Sequence, residues 1–131
     1  MNVGLDSSVV LRLLVGRPED QTERALAFLD TLKTRGDRAV VSDLVVAEVY
    51  FALQHHYGVP KKEALSALGS MFEGGEVLPM GSAAQILDTP GLATAKPGFV
   101  DRLIHAAYSE TPAGMVTFEK ASGRLKNVQV L

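Results

Sequence analysis

The chain has 131 residues, 47% hydrophobic and 21% charged, which suits one domain with a single core and excludes a disordered chain. It has no cysteine, so disulfides, thiolate nucleophiles and cysteine-based zinc sites are excluded, and a reducing compartment is expected. Thirteen Lys+Arg against 15 Asp+Glu give a net charge of −2, so any nucleic-acid contact must come from a local basic cluster.

Strand-like and helix-like patterns alternate along the chain. Met1–Leu5 reads as a strand. Ser7 and Ser8 are placed to cap a helix over Val9–Leu14, and Gly16-Arg17-Pro18 reads as a turn. Thr22 is placed to cap a second helix that runs to Arg35, with Ala25, Leu26, Leu29 and Leu32 on one face; Gly36-Asp37 breaks it. Ala39–Val41 is a second strand. Ser42 then caps a long helix from Asp43 to His56, so apolar around its circumference that burial between other elements is expected.

Gly58 ends that helix and Pro60 opens the next at its first position, with Ala64, Leu65, Leu68 and Phe72 as an apolar stripe. Gly74-Gly75 stops it. Glu76–Met80 is a third strand and Ser82–Leu87 a short helix, cut by Thr89-Pro90-Gly91. Leu92–Gly98 carries no clear pattern. Phe99–Ser109 is helical, Gly114–Phe118 is a fourth strand and Val128–Leu131 a fifth. No repeat or linker interrupts residues 1–131. The expected fold is a single α/β domain, with a mainly parallel central sheet of about five strands and helices on both faces. No apolar run approaches the ~20 residues of a membrane span, and Asn2-Val3-Gly4-Leu5-Asp6 follows Met1 without a basic leader. A cytoplasmic protein without a membrane partner is expected.

Four acids stand where apolar segments end or turn into helix: Asp6, Glu48, Asp101 and Glu119. Sites in parallel α/β folds form at the carboxyl ends of strands. Asp6 and Glu119 fall at two such ends, and Glu48 and Asp101 lie on helices able to lean over the same edge. An acid in an apolar setting is costly unless compensated. Two unit charges 5 Å apart repel by roughly 3 kcal/mol at an effective dielectric of 20, so four convergent carboxylates call for divalent cations. Mg²⁺ or Mn²⁺ suits an all-oxygen site, and such ions activate water for phosphodiester cleavage. Each acid alone also has a plainer role. Asp6 and Asp101 would oppose a helix dipole, Glu48 would pair with Arg12 or Arg102, and Glu119 with Lys120 or Arg124.

The order of these segments carries a resemblance. Gly4-Leu5-Asp6-Ser7-Ser8-Val9-Val10-Leu11-Arg12 resembles the opening motif of PIN-domain nucleases. Val45-Val46-Ala47-Glu48-Val49-Tyr50 resembles their second motif, Phe99-Val100-Asp101-Arg102-Leu103-Ile104-His105-Ala106-Ala107 their third, and Val116-Thr117-Phe118-Glu119-Lys120 their last. The size is similar to that of VapC-type toxins of toxin–antitoxin pairs. The resemblance implies a Mg²⁺- or Mn²⁺-dependent endoribonuclease, with Asp6, Glu48, Asp101 and Glu119 as catalytic, metal-binding acids. Ser7 would orient Asp6 or a metal-bound water, and Thr117 would do the same near Glu119. It also implies a homodimer and an antitoxin whose tail covers or enters the acidic site. Two positions depart from the family pattern: Glu119 stands where Asp is usual, and Ser8 where Asn is common.

Lys120, Arg124 and Lys126 form the basic cluster best placed for RNA phosphates, with Arg12, Arg17 and Arg102 as further contacts. His55 and His56 are adjacent and do not share a helix face, so they suit a helix C-terminus better than a metal; His105 suits a helix surface. A receiver-like signalling domain with Asp6 or Asp43 as phosphoacceptor would need an acid after the third strand, and Val77-Leu78-Pro79-Met80 has none. A PIN-like scaffold that only binds a partner is the remaining alternative.

Overall fold

The computed structural model describes residues 1–131. The elements in chain order are β1 (Asn2–Gly4), α1 (Ser7–Val15), α2 (Glu19–Arg35), β2 (Arg38–Val41), α3 (Asp43–His55), α4 (Lys61–Glu73), β3 (Val77–Pro79), α5 (Ala83–Leu87), α6 (Phe99–Ala107), β4 (Met115–Thr117) and β5 (Val128–Val130), with a 3₁₀ turn at Lys120–Arg124. β2 lies between β1 and β3, parallel to both; Val3 aligns with Ala39, and Ala39 with Val77. Successive side chains on β2 point to opposite faces. Ala39, Val40 and Val41 are all buried, so both faces of this sheet are covered. The α/β class and the parallel pairing agree with the sequence.

The five strands do not share one ladder of hydrogen bonds: β1-β2-β3 form one sheet, and β4 pairs only with β5. The main core cluster ends at Leu103. The segment from β4 to β5 lies outside it, with Met115 and Ser122 as its buried residues. Two bonds tie this segment back. His105 Nε2 lies 2.7 Å from the Lys126 carbonyl, and Arg124 Nη1 donates to the Lys96 carbonyl at 3.3 Å.

The main core is made of side chains that the helical period sends inward. α1 gives Val10, α2 gives Leu32, α3 gives Val46, Val49, Tyr50 and Leu53, α4 gives Ala64, Leu65 and Leu68, and α6 gives Phe99 and Leu103. Each fully buried Val, Leu or Phe stabilises the fold by roughly 1.5–3 kcal/mol. Tyr50 meets Phe99 edge to face, with centroids 5.1 Å apart. Burial pushes the Tyr50 phenol above its ordinary value, and Gln54 partly opposes the rise. Leu92 and Pro97, from the stretch without a clear pattern, are both buried.

Helix starts differ from expectation in informative ways. α1 begins at Ser7 because Asp6, rather than Ser7 or Ser8, is its N-cap. α2 begins at Glu19, after Pro18, with Glu19 and Asp20 facing the helix dipole. Thr22 instead bonds back to the Pro18 and Arg12 carbonyls. Gly36 ends α2 at φ 75°, a left-handed conformation that a Cβ would strain. α3 is not buried on all sides. Leu44, Glu48, Phe51 and His55, spaced four, three and four residues apart, form an exposed stripe, with Leu44 80% and Phe51 45% exposed.

Asp43, in the first turn of α3, holds the next layer in place. Its carboxylate accepts from Ser82 N at 3.0 Å and Ala83 N at 2.9 Å, capping α5. Gly81 is required beside it, since a Cβ there would fall 2.5 Å from Asp43 Oδ2. With both oxygens engaged, Asp43 is a structural acid and not a phosphoacceptor. Asp43→Ala should lower unfolding stability by about 2 kcal/mol, read from urea midpoints, because it strands two N–H groups that bond a charged acceptor. Asp43→Asn should lose less. Equal midpoints for Asp43→Ala and the parent would show that the clasp does not matter.

Candidate active site

The β1–β2 ladder sets the geometry here. It delivers Leu5 to the core and leaves Asp6 extended at φ −77° and ψ 162°, the conformation of an N-cap. Asp6 Oδ1 accepts from Ser7 N at 2.8 Å. The Ser7 hydroxyl lies 3.4 Å from the same oxygen and hydrogen-bonds Glu48 Oε1 on α3. Two carboxylates 42 positions apart in sequence therefore meet at one serine. A hydroxyl has one proton to donate. Ser7 gives it to Glu48, and Asp6 is satisfied by the main chain.

The site is open rather than buried. Asp6, Glu48, Asp101 and Glu119 are all exposed, so the cost of burying acids, which the apolar flanks suggested, does not arise. Nor does any of them pair with a cation. The two ion pairs in the structure both involve Asp37, with the Met1 amino group at 3.0 Å and Arg35 at 3.3 Å. Arg12, a suggested partner of Glu48, donates instead to Gln21, and Arg102 donates to the Pro97 carbonyl at 2.8 Å. Arg124, a suggested partner of Glu119, is bonded to the Lys96 carbonyl.

Asp101 lies in the first turn of α6, where an acid opposes the helix dipole. Glu119 follows β4 and caps the 3₁₀ turn, accepting from Ala121 N at 3.5 Å; Thr117 Oγ1 accepts from Glu119 N at 3.0 Å. Thr117 thus shapes the turn that carries Glu119. The structure brings Asp6, Ser7 and Glu48 together. It does not form any group of three Asp, Glu, His or Cys side chains able to hold a metal ion. β1 and β4 do not pair with each other.

The family model of the PIN domain matches residues 3–125. The chain belongs to the PIN-domain family. No curated protein and no solved structure matches it. PIN domains are generally nucleases, and a nuclease fold is what this one has. No helix of this PIN domain is long and apolar enough to cross a membrane.

Sequence reasoning missed that Asp6 serves both as helix cap and as a member of the acidic pair, and that Ser7 joins the pair. The signal was present, since Asp is a preferred cap immediately before an apolar helical run. The two roles separate by substitution. Asp6→Asn keeps a capping oxygen and should stay within about 0.5 kcal/mol of the parent, whereas Asp6→Ala should lose about 1 kcal/mol, measured by thermal or urea unfolding. Equal losses would show that the cap does not stabilise α1.

Proposed function

We propose that this PIN domain is a Mg²⁺- or Mn²⁺-dependent endoribonuclease, acting as the toxin of a type II toxin–antitoxin pair. The observation that carries the reading is the meeting of Asp6 and Glu48 at Ser7, at the carboxyl end of β1, in a chain of a nuclease family. The donors present there are all hard oxygens, which fits Mg²⁺ or Mn²⁺. Mg²⁺ is usually bound through one or two carboxylates, several waters and substrate phosphates, so a pair of acids open to solvent is a sufficient protein contribution. Asp6 and Glu48 would hold the ion, which when bound lowers the pKa of water and neutralises charge on a phosphate. Asp101 and Glu119 are the other catalytic, metal-binding acids of this reading.

The chain's own residues prepare the site. Asp6 is fixed by the Ser7 N–H, so its carboxylate is oriented before any ligand arrives. Ser7 holds Glu48 against the same point. Lys120, Arg124 and Arg12 would contact RNA phosphates, and Thr117 would keep the Glu119 turn in shape. A homodimer, a cognate antitoxin and a cytoplasmic setting belong to the same reading. Leu44 and Phe51 beside Glu48, and Phe118 beside Glu119, leave apolar surface near the acids for such partners to cover.

A PIN domain that binds RNA or protein without cleaving is the second reading. It is favoured by there being no group of three Asp, Glu, His or Cys side chains able to hold a metal ion. Cleavage assays decide between the two. The purified protein should cut structured RNA with Mg²⁺ or Mn²⁺ and stop with chelator. Asp6→Asn and Asp101→Asn should each lower the rate by at least a hundredfold, while circular dichroism stays unchanged. Full activity in both variants, or cleavage without metal, would sink the assignment. Glu119→Asp and Glu119→Gln should differ from each other if Glu119 takes part; parent-like rates in both would remove it from the site.

A further inference from the structure

A second feature lies beside the acidic pair and faces away from β2. A cleft of about 690 Å³ runs between the outer edge of β1 and the α1–α2 hairpin. Gly4 opens on its floor, Val9 and Phe28 supply apolar wall, and Arg12 and Arg24 bring two guanidinium groups to it. No acid lines it. Neither arginine lies within 4 Å of a carboxylate; Arg12 is held by Gln21, and Arg24 is exposed.

The floor is an unpaired strand edge. Leu5 N donates to the Val40 carbonyl, and Arg38 N donates to the Met1 carbonyl, both toward β2. In a strand these groups alternate in direction, so the N–H and C=O of Asn2 and Gly4 point the other way, where no strand pairs with β1. Nothing lies within 4 Å of where a Cβ on Gly4 would stand, so the face of the strand beside that edge is open as well. An edge of this kind is a template for another extended chain.

We propose that this cleft binds an extended peptide segment of a partner protein, one that alternates apolar and acidic side chains and adds as a strand to the free edge of β1. Main-chain bonds to Asn2 and Gly4 would give the register. Apolar side chains would cover Val9 and Phe28, and carboxylates would pair with Arg12 and Arg24. Charge complementarity selects an acidic occupant, and the apolar wall together with the open main-chain edge selects peptide over RNA. The cleft binds its peptide whether or not the chain cleaves RNA. Arg12 is shared with the proposed phosphate contacts, so Arg24 and Gly4 carry the test.

Amide chemical shifts of the full chain would be followed while adding a capped peptide of alternating valine and glutamate, a valine–lysine control, or oligouridylate. The expected result is saturable movement of residues 3–5 and 24–28 with the valine–glutamate peptide alone. Arg24→Glu should weaken it about tenfold. Gly4→Pro, tolerated at an edge whose N–H faces outward, should abolish it with circular dichroism unchanged. Movement of the same residues by oligouridylate instead, movement centred elsewhere, equal affinity in Arg24→Glu, or no movement with any probe would overturn the proposal.

Discussion

The parallel pairing of β2 with both of its neighbours is the constraint on which the rest of the fold depends. Ala39, Val40 and Val41 are buried across both faces and the main chain is bonded on both edges, so the strand has one position available. The ladder aligns Gly4 with Val40, near the β2 carboxyl end, and so fixes where β1 stops and hence where Asp6 stands. From that carboxyl end the chain turns at Ser42 directly into α3, whose hydroxyl cap accepts from Val45 N at 3.2 Å. Glu48 then falls on the second turn of a helix that starts beside the end of β1. The meeting of Asp6 and Glu48 thus follows from one strand register and two helix caps.

The same constraint explains what the structure leaves apart. Nothing in the β2 ladder reaches β4, which pairs with β5 in a small unit outside the main core. A unit with few buried apolar side chains is held less firmly than the core, and here it is tied to α6 through His105 and to Lys96 through Arg124. Glu119 travels with this unit, and its geometry answers to Thr117 and the 3₁₀ turn. The four acids are therefore unequal: two share a serine, one opposes a helix dipole, and one caps a turn.

Much of this was legible in the sequence. The alternation of Val-rich runs with capped amphipathic segments gave the α/β class, the parallel pairing and every helix. The third strand was readable from Val77-Leu78, and the buried faces of α4 and α6 from their spacing. Boundaries went wrong where a residue had two uses. Asp6 was read as a site acid and is also a cap, and Thr22 resembles a cap but bonds backwards. The helix that carries Glu48 was read as buried all round because it is apolar; helical geometry instead places Glu48 on the exposed stripe of Leu44 and Phe51. The grouping of strands into two sheets was not legible, because short parallel strands carry the same pattern whichever neighbour they pair with. The pairing of acids in space was suggested by motif order, and only the Ser7 contact distinguishes which two meet.

The central claim is that Asp6, Ser7 and Glu48 form one oxygen site for a divalent cation. Paramagnetic broadening of backbone amides by substoichiometric Mn²⁺ measures this without reference to cleavage. The account predicts broadening centred on residues 5–8 and 47–49 in the same titration, and its loss in Asp6→Asn. Broadening centred on another part of the chain, or unchanged in Asp6→Asn, would contradict it.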